Sequence, residues 1–240
     1  SGSVNTSPSL SPDGRYVAFL SEKDLFSIDL FLANAETGEI VRKLASANSD
    51  PHVEALRYID SSGTWSPDSR FFAYVVVAEG DNQIVVVDSD NGRVTRRITF
   101  DQWGIGSVAN PAWSPDGRYI AFTSYRDKNK DLFLISLDDG SVSNLTNTPN
   151  QDEDFTTWSP DGAYLAHSAG AKTPEERILP QLLDRQPGRF LVRTLEHDGR
   201  LGRTSLARHR IARADLFHAA RRAGWRVWYA SGQLFIDAVR

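Results

Sequence analysis

The chain has 240 residues, 40% of them apolar and 24% charged, with a net charge of −4; this is the balance of a globular protein able to bury a core, and the length suits one all-β domain as well as two smaller ones. Cysteine is absent, which excludes a disulfide framework, a thiol nucleophile and a cysteine zinc site. No window reaches the roughly 20 uninterrupted apolar residues of a membrane-spanning helix.

Methionine is absent too, even at position 1, which implies a processed or excised chain from which a signal peptide could already have been removed. The net charge conceals an asymmetry: residues 1–170 hold 13 Lys plus Arg against 24 Asp plus Glu, whereas residues 171–240 hold 14 against 7. The expected organisation is therefore a first part over 1–170 and an Arg-rich continuation over 171–240.

A four-residue motif recurs along the first part. Ser-Pro-Asp-Gly stands at Ser11–Gly14, Ser114–Gly117 and Ser159–Gly162, and Ser-Pro-Asp-Ser at Ser66–Ser69, so the fourth positions are separated by 55, 48 and 45 residues. Periods of this size mark stacked repeats of a β-propeller. Each tetrapeptide suits a type I turn, with Ser first and Pro fixing φ at the second position. Leu10, Trp65, Trp113 and Trp158 precede the four turns and are expected to wedge between neighbouring blades.

Behind each turn comes an apolar run, Arg15 to Leu20, Arg70 to Val77, Arg118 to Thr123 and Ala163 to His167, as strands covered on both faces require. Second runs follow at Asp29 to Ala33, Ile84 to Val87 and Leu132 to Leu137. Each leads to a Gly-containing signal, Thr37-Gly38, Asn91-Gly92 or Asp139-Gly140, expected to form a two-residue hairpin. More polar runs, Glu39 to Leu44, Arg93 to Phe100 and Ser141 to Thr146, complete units of four antiparallel strands.

The stretch WSPDGRYIAFTSYRDKNKDLFLISLDDGSVSNLT, Trp113 to Thr146, resembles the repeat of TolB-type propellers (PD40, WD40-like), which also occurs in the propeller domains of prolyl oligopeptidases. Four copies over about residues 7–170 imply an all-β fold, a β-propeller of four-stranded antiparallel blades with four clear repeats. The resemblance implies six blades in TolB itself.

The tail reads as a degenerate continuation. Arg189 to Gly199 looks like a strand and Asp-Gly turn leading to a return strand that would finish the fourth blade, and Gly224 to Ser231 with Gln233 to Val239 like strands of a degenerate fifth. Two helical insertions are expected, one from Thr173-Pro174-Glu175-Glu176, a capping-box pattern, and one over Ser205 to Ala223. A competing account makes helix and hairpin a winged-helix-like unit whose Arg208, Arg210, Arg213, Arg221 and Arg222 face phosphates. A solvated charged face is the favoured reading, and nucleic acid is not the expected partner.

No catalytic constellation emerges. There is no Gly-x-Ser-x-Gly elbow, Tyr229 to Gln233 being only a look-alike; the five histidines form no ligand pair, and His167, on an apolar strand, reads as a core residue. Asp88 to Gly92 lacks the pattern of a calcium loop. No metal and no cofactor are expected, and no enzymatic activity.

Loops are long on one side of the repeats only: Glu22 to Ile28, Ser46 to Thr64, Asp101 to Ala112, Tyr125 to Lys130 and Asn147 to Thr157. Functional residues concentrate on such loops. Asp50, His52, Glu54, Arg57, Asp101, Trp103, Tyr125, Arg126, Asp152, Glu153 and Asp154 are the candidate partner-binding residues. The expectation is a non-enzymatic binding module for a protein or peptide partner, periplasmic or extracellular, able to oligomerise through an unclosed blade edge. The alternatives are a substrate-gating propeller of a peptidase or hydrolase whose catalytic domain lies elsewhere, and nucleic-acid binding by the tail.

Overall fold

The structure, a computed structural model, describes residues 5–23, 28–46, 55–56, 63–78, 80–126, 129–147, 151–171, 179–186, 189–194, 225–230 and 233–238. The fold is all-β, of the propeller type. The first sheet runs in the order β1 (Asn5–Leu10), β2 (Tyr16–Ser21), β3 (Asp29–Asn34), β4 (Ile40–Ala45). In the second, β5 (Ala55–Leu56) and β6 (Thr64–Trp65) both pair with β7 (Phe71–Ala78), followed by β8 (Asp81–Asp88) and β9 (Val94–Ile98). The third is β10 (Ala109–Trp113), β11 (Tyr119–Arg126), β12 (Asn129–Ser136), β13 (Val142–Asn144). The fourth is β14 (Gln151–Trp158), β15 (Tyr164–Ala171), β16 (Leu179–Gln186), β17 (Arg189–Thr194), and β18 (Trp225–Ala230) pairs with β19 (Gln233–Ala238) in a two-stranded sheet. The chain forms two compact units, residues 1–128 with 133–143, and residues 129–132 with 144–240.

Three sequence expectations are corrected. The run Arg189–Thr194 is the outermost strand of the fourth sheet, because Leu179–Gln186 pairs with β15 from Tyr164↔Asp184 to Ala169↔Leu179 and takes the third place. The helix expected to begin at Thr173 and the helix expected over 205–223 fall on residues 172–178 and 195–224, which lie outside the described residues. The loops expected at Tyr125–Lys130 and Asn147–Thr157 are largely strand, since backbone pairing continues through their polar residues. The hairpins at Gly38, Gly92 and Gly140 have four-residue loops, closed by Asn34 N–H to Glu39 O, Asp88 N–H to Arg93 O and Ser136 N–H to Ser141 O. In the first two, the leading side chain caps the loop amides: Asn34 Oδ1 accepts from Glu36 and Thr37, and Asp88 Oδ1 from Asp90 and Asn91.

The repeated turns are built alike. In each, the buried first serine donates its hydroxyl to the aspartate two residues on, at 2.5–2.6 Å. The same hydroxyl accepts the N–H of the residue five positions on, at 2.8–2.9 Å. The aspartate Oδ1 accepts a further N–H just past the turn, at 2.9–3.1 Å. One hydroxyl thus satisfies buried backbone and fixes a carboxylate in the same stroke. The fourth position has positive φ: Gly14 +75°, Ser69 +63°, Gly117 +75° and Gly162 +68°. Ser69 holds this strained geometry while its Oγ accepts the N–H of Asp13 in the first sheet, 3.0 Å away.

Side-chain alternation then places the second sheet between the first and the third. Along β7 and β8, Phe72, Tyr74, Val76, Ala78, Val85 and Val87 pack with Ala18, Leu20, Leu30 and Leu32 of the first sheet. The intervening Ala73, Val75, Ile84 and Val86 pack with Ile120, Phe122, Phe133 and Ile135 of the third. Two-sided burial explains why these strands read as unbroken apolar runs. Gly63 permits the close approach at the start of β6, because a Cβ there would run into the Ala73 carbonyl and the Phe72 ring.

Polar ties bind the same sheets. Trp65 Nε1 donates to Ser9 O at 3.0 Å, the Trp113 N–H to Thr64 Oγ1 at 3.1 Å, Arg42 Nη2 to Asp90 O at 2.7 Å and Arg96 Nη1 to Leu137 O at 2.8 Å. Trp65 and Trp158 are buried and Trp113 half-buried, but Leu10 is 43% exposed, contrary to its expected wedging role; an aliphatic side chain has no N–H with which to hold a carbonyl. The outer strands β4 and β9 carry register shifts together with Arg42, Lys43, Arg96 and Arg97, devices that blunt sheet edges.

Two outcomes follow. Replacing Ser69 by Ala removes the tie to Asp13 and keeps the positive φ, so it lowers stability by about 1–2 kcal/mol; Ser69→Gly relieves the backbone and costs about 1 kcal/mol less, as urea denaturation of the pair will show. The turn serines also set an acid limit. The Ser11 hydroxyl holds Asp13 down to about 2 from 3.8, and the Ser66 hydroxyl lowers Asp68 in the same way. With folded values below unfolded ones, this stability is complete above the unfolded value and is lost as pH falls from there toward 2. Thermal midpoints should therefore drop over that window, and less steeply in Ser11→Ala.

Candidate functional site

In the first unit, the segment between β9 and β10 is anchored from within. Phe100, Ile105 and Val108 are buried, and the Phe100 ring lies 4.8 Å from Phe122 and 6.4 Å from Trp103. A single 3-10 turn, Asp101–Trp103, is closed by Gly104 at φ +61°, whose N–H donates to Asp101 O at 3.1 Å. The segment is tied to the end of β11: the Gly106 N–H donates to Tyr125 O at 3.2 Å and Ser124 Oγ to Gly106 O at 2.7 Å.

This arrangement brings together four of the residues singled out from sequence. Asp101 and Arg126 are exposed, Tyr125 is 45% exposed, and Trp103 is half-buried against the core that includes Phe100. Trp103 thus serves first as a support, with Tyr125 as the open aromatic. Sequence reasoning missed Ser124 and Gly106, whose pairing has no local signal because they lie 18 residues apart.

The second unit holds the acidic run Asp152–Asp154 on β14. Its three carboxylates differ in kind. Lys130, on β12, donates its backbone N–H to Asp152 Oδ1 at 3.0 Å, and its ammonium lies 2.7 Å from Asp154 Oδ2, with only 12% of the Lys130 side chain exposed. Glu153 is fully buried, contrary to its expected place on an exposed loop, because alternation along β14 turns it to the covered face. Register sets Glu153 opposite Ala169, two residues from His167, which is buried as its apolar strand led us to expect. Asp50, His52, Glu54 and Arg57 lie outside the described residues. Among the described residues, no three His, Asp or Glu side chains are grouped as a metal site requires.

The profile of the TolB β-propeller domain family (PD40) matches residues 1–199. The chain belongs to that family. The Tol-Pal system protein TolB of Hydrogenovibrio crunogenus is 30% identical over 111 residues, which are 46% of this chain and 22% of that protein. The crystal structure of TolB from Acinetobacter baumannii superimposes with a TM-score of 0.60 at 18% identity, covering 82% of this chain and 53% of the other. A prolyl endopeptidase structure gives a TM-score of 0.60 at 14% identity, over 98% of this chain and 35% of that one. At these identities the structural likenesses speak for the fold alone. The chain spans well under two thirds of the TolB proteins it matches.

Lys130 is the residue that organises the acidic run. Lys130→Met should cost about 1 kcal/mol, and a urea double-mutant cycle with Asp154→Asn should return a coupling of about 0.5–1 kcal/mol. Additive losses would mean that the pair contributes nothing.

Proposed function

We propose that the chain is a non-enzymatic binding module of the bacterial cell envelope, periplasmic in setting, which engages a protein or peptide partner through the loop-bearing ends of its strands. Membership of the TolB family supports this setting and this class of role. Among the described residues no helix is long and apolar enough to cross a membrane. The observation that carries the reading is the braced segment Asp101–Val108: a rigidly supported surface beside the exposed Tyr125 and Arg126 offers an aromatic and a charged group at little ordering cost. In the second unit, Asp152 and Asp154, held by Lys130, are proposed separately as partner-binding residues, and Asp50, His52, Glu54 and Arg57 are proposed from the sequence alone. We assign residues 1–170 to the propeller repeats and residues 171–240 to their Arg-rich continuation.

The test is capture of envelope proteins on the immobilised chain. Partners retained by the parent chain should be lost with Tyr125→Ala combined with Arg126→Glu, and retained by Asp90→Lys, which lies at the turn end of the second sheet. Equal retention by all three chains would remove the loop ends from the binding surface.

A further inference from the structure

Asn91-Gly92 is the one Asn–Gly step in the sequence, and it sits in the turn between β8 and β9. Asparagine before glycine is chemically labile because glycine has no side chain to keep its amide nitrogen away from the neighbouring carboxamide. Here Asn91 is exposed, and its Oδ1 accepts the Arg93 N–H at 2.8 Å. A donor at that oxygen stabilises the charge that gathers there when the carboxamide carbon is attacked. Other bonds oppose the attack. The Gly92 N–H is committed to Asp88 O at 2.7 Å, and Asp88 Oδ1 accepts the N–H groups of Asp90 and Asn91.

A clamp from outside the turn completes the restraint. Arg42, on β4 of the first sheet, donates Nη2 to Asp90 O at 2.7 Å, and its Cδ lies 2.9 Å from where a Cβ on Gly92 would stand. The arginine stem thus fills the space a side chain at position 92 would need, while its guanidinium holds the carbonyl two residues earlier. The nitrogen can reach Asn91 Cγ only when the turn opens, and opening breaks the Arg42 bond as well as the Asp88 bond.

We propose that Asn91-Gly92 is a deamidation site gated by Arg42, so that covalent ageing of the second sheet depends on the integrity of its joint with the first. In the reaction the Gly92 nitrogen gives up its proton and bonds to Asn91 Cγ. The carboxamide nitrogen departs with that proton as ammonia, leaving a succinimide, and water opens the ring to aspartate or to the β-linked isoaspartate. The product adds a negative charge at position 91, next to Asp90 and three residues from Asp88. The isoaspartate also lengthens the backbone within the loop spanned by the Gly92 N–H to Asp88 O and Asp88 N–H to Arg93 O bonds.

The experiment incubates the full chain at mildly alkaline pH and follows intact mass, with peptide mapping and enzymatic methylation of isoaspartate to locate the change. Exchange of NH2 for OH raises the mass, whereas Asp–Gly steps that pass through a succinimide return to their original mass. The parent chain should deamidate at Asn91 several-fold more slowly than the urea-unfolded chain, Arg42→Ala several-fold faster than the parent, Arg42→Lys in between, and Asn91→Gln not at that position. Circular dichroism confirms that Arg42→Ala remains folded; should it unfold, the comparison of Arg42→Lys with the parent decides. Equal rates in the parent chain and the Arg42 variants, or a mass gain that maps to another asparagine, would overturn the proposal.

Discussion

The core of the first unit depends on giving its second sheet two covered faces. A four-stranded sheet with apolar side chains on both sides has no stable existence alone, and its strands carry no solvent face to which a slipped register could retreat. The second sheet shows the constraint most fully: Phe72, Tyr74 and Val76 face one neighbour while Ala73 and Val75 face the other, along one strand. A slip of one residue would exchange the two sets and set the Phe72 and Tyr74 rings where alanine and valine now fit. Register therefore has to be fixed locally, before the faces meet.

The turn serines supply that local fixing. A hydroxyl that donates to a carboxylate and accepts an amide from across the hairpin allows one pairing of the two strands it joins, and its burial makes any other pairing costly. Two of these turns also tie sheet to sheet, through Ser69 to Asp13, while the arginines of the outer strands make further ties to the β8–β9 hairpin and to the end of β12. Local register is thus set by one serine–aspartate pair per turn, and lateral assembly largely by other residues.

These features were legible because the motif carries its mechanism within a few residues. The repeat, the strand order within each of the first three units and the burial of His167 all follow from local pattern. What escaped is non-local. The polar run from Tyr125 to Lys130 looks like a loop, yet β11 and β12 run almost to its middle because ladder bonds are made by backbone. Three consecutive acids look like a solvated tip; the countercharge that lets them sit in β14 is Lys130, 22 residues back from Asp152, and no periodicity announces it. At Leu179–Gln186 a proline and a nearby capping pattern outweighed an apolar pair, Leu182-Leu183, which the pairing with β15 resolves as strand.

The division of labour between the two ends of the strands bears on function. At the turn end, the polar groups are already engaged: Ser hydroxyls with Asp carboxylates, Arg118 with Asp138, Arg70 with Asp88, carbonyls with arginines of the neighbouring sheet. A partner docking there would have to compete with bonds that hold the sheets in register. At the other end the connections differ from unit to unit in length and in charge, and one of them is braced by buried Phe100 and Val108 without using its exposed side chains. Recognition needs groups that can vary without cost to the fold and a backbone that does not move when they do. Among the described residues the segment Asp101–Val108 meets both conditions, which is why the proposed surface is drawn there.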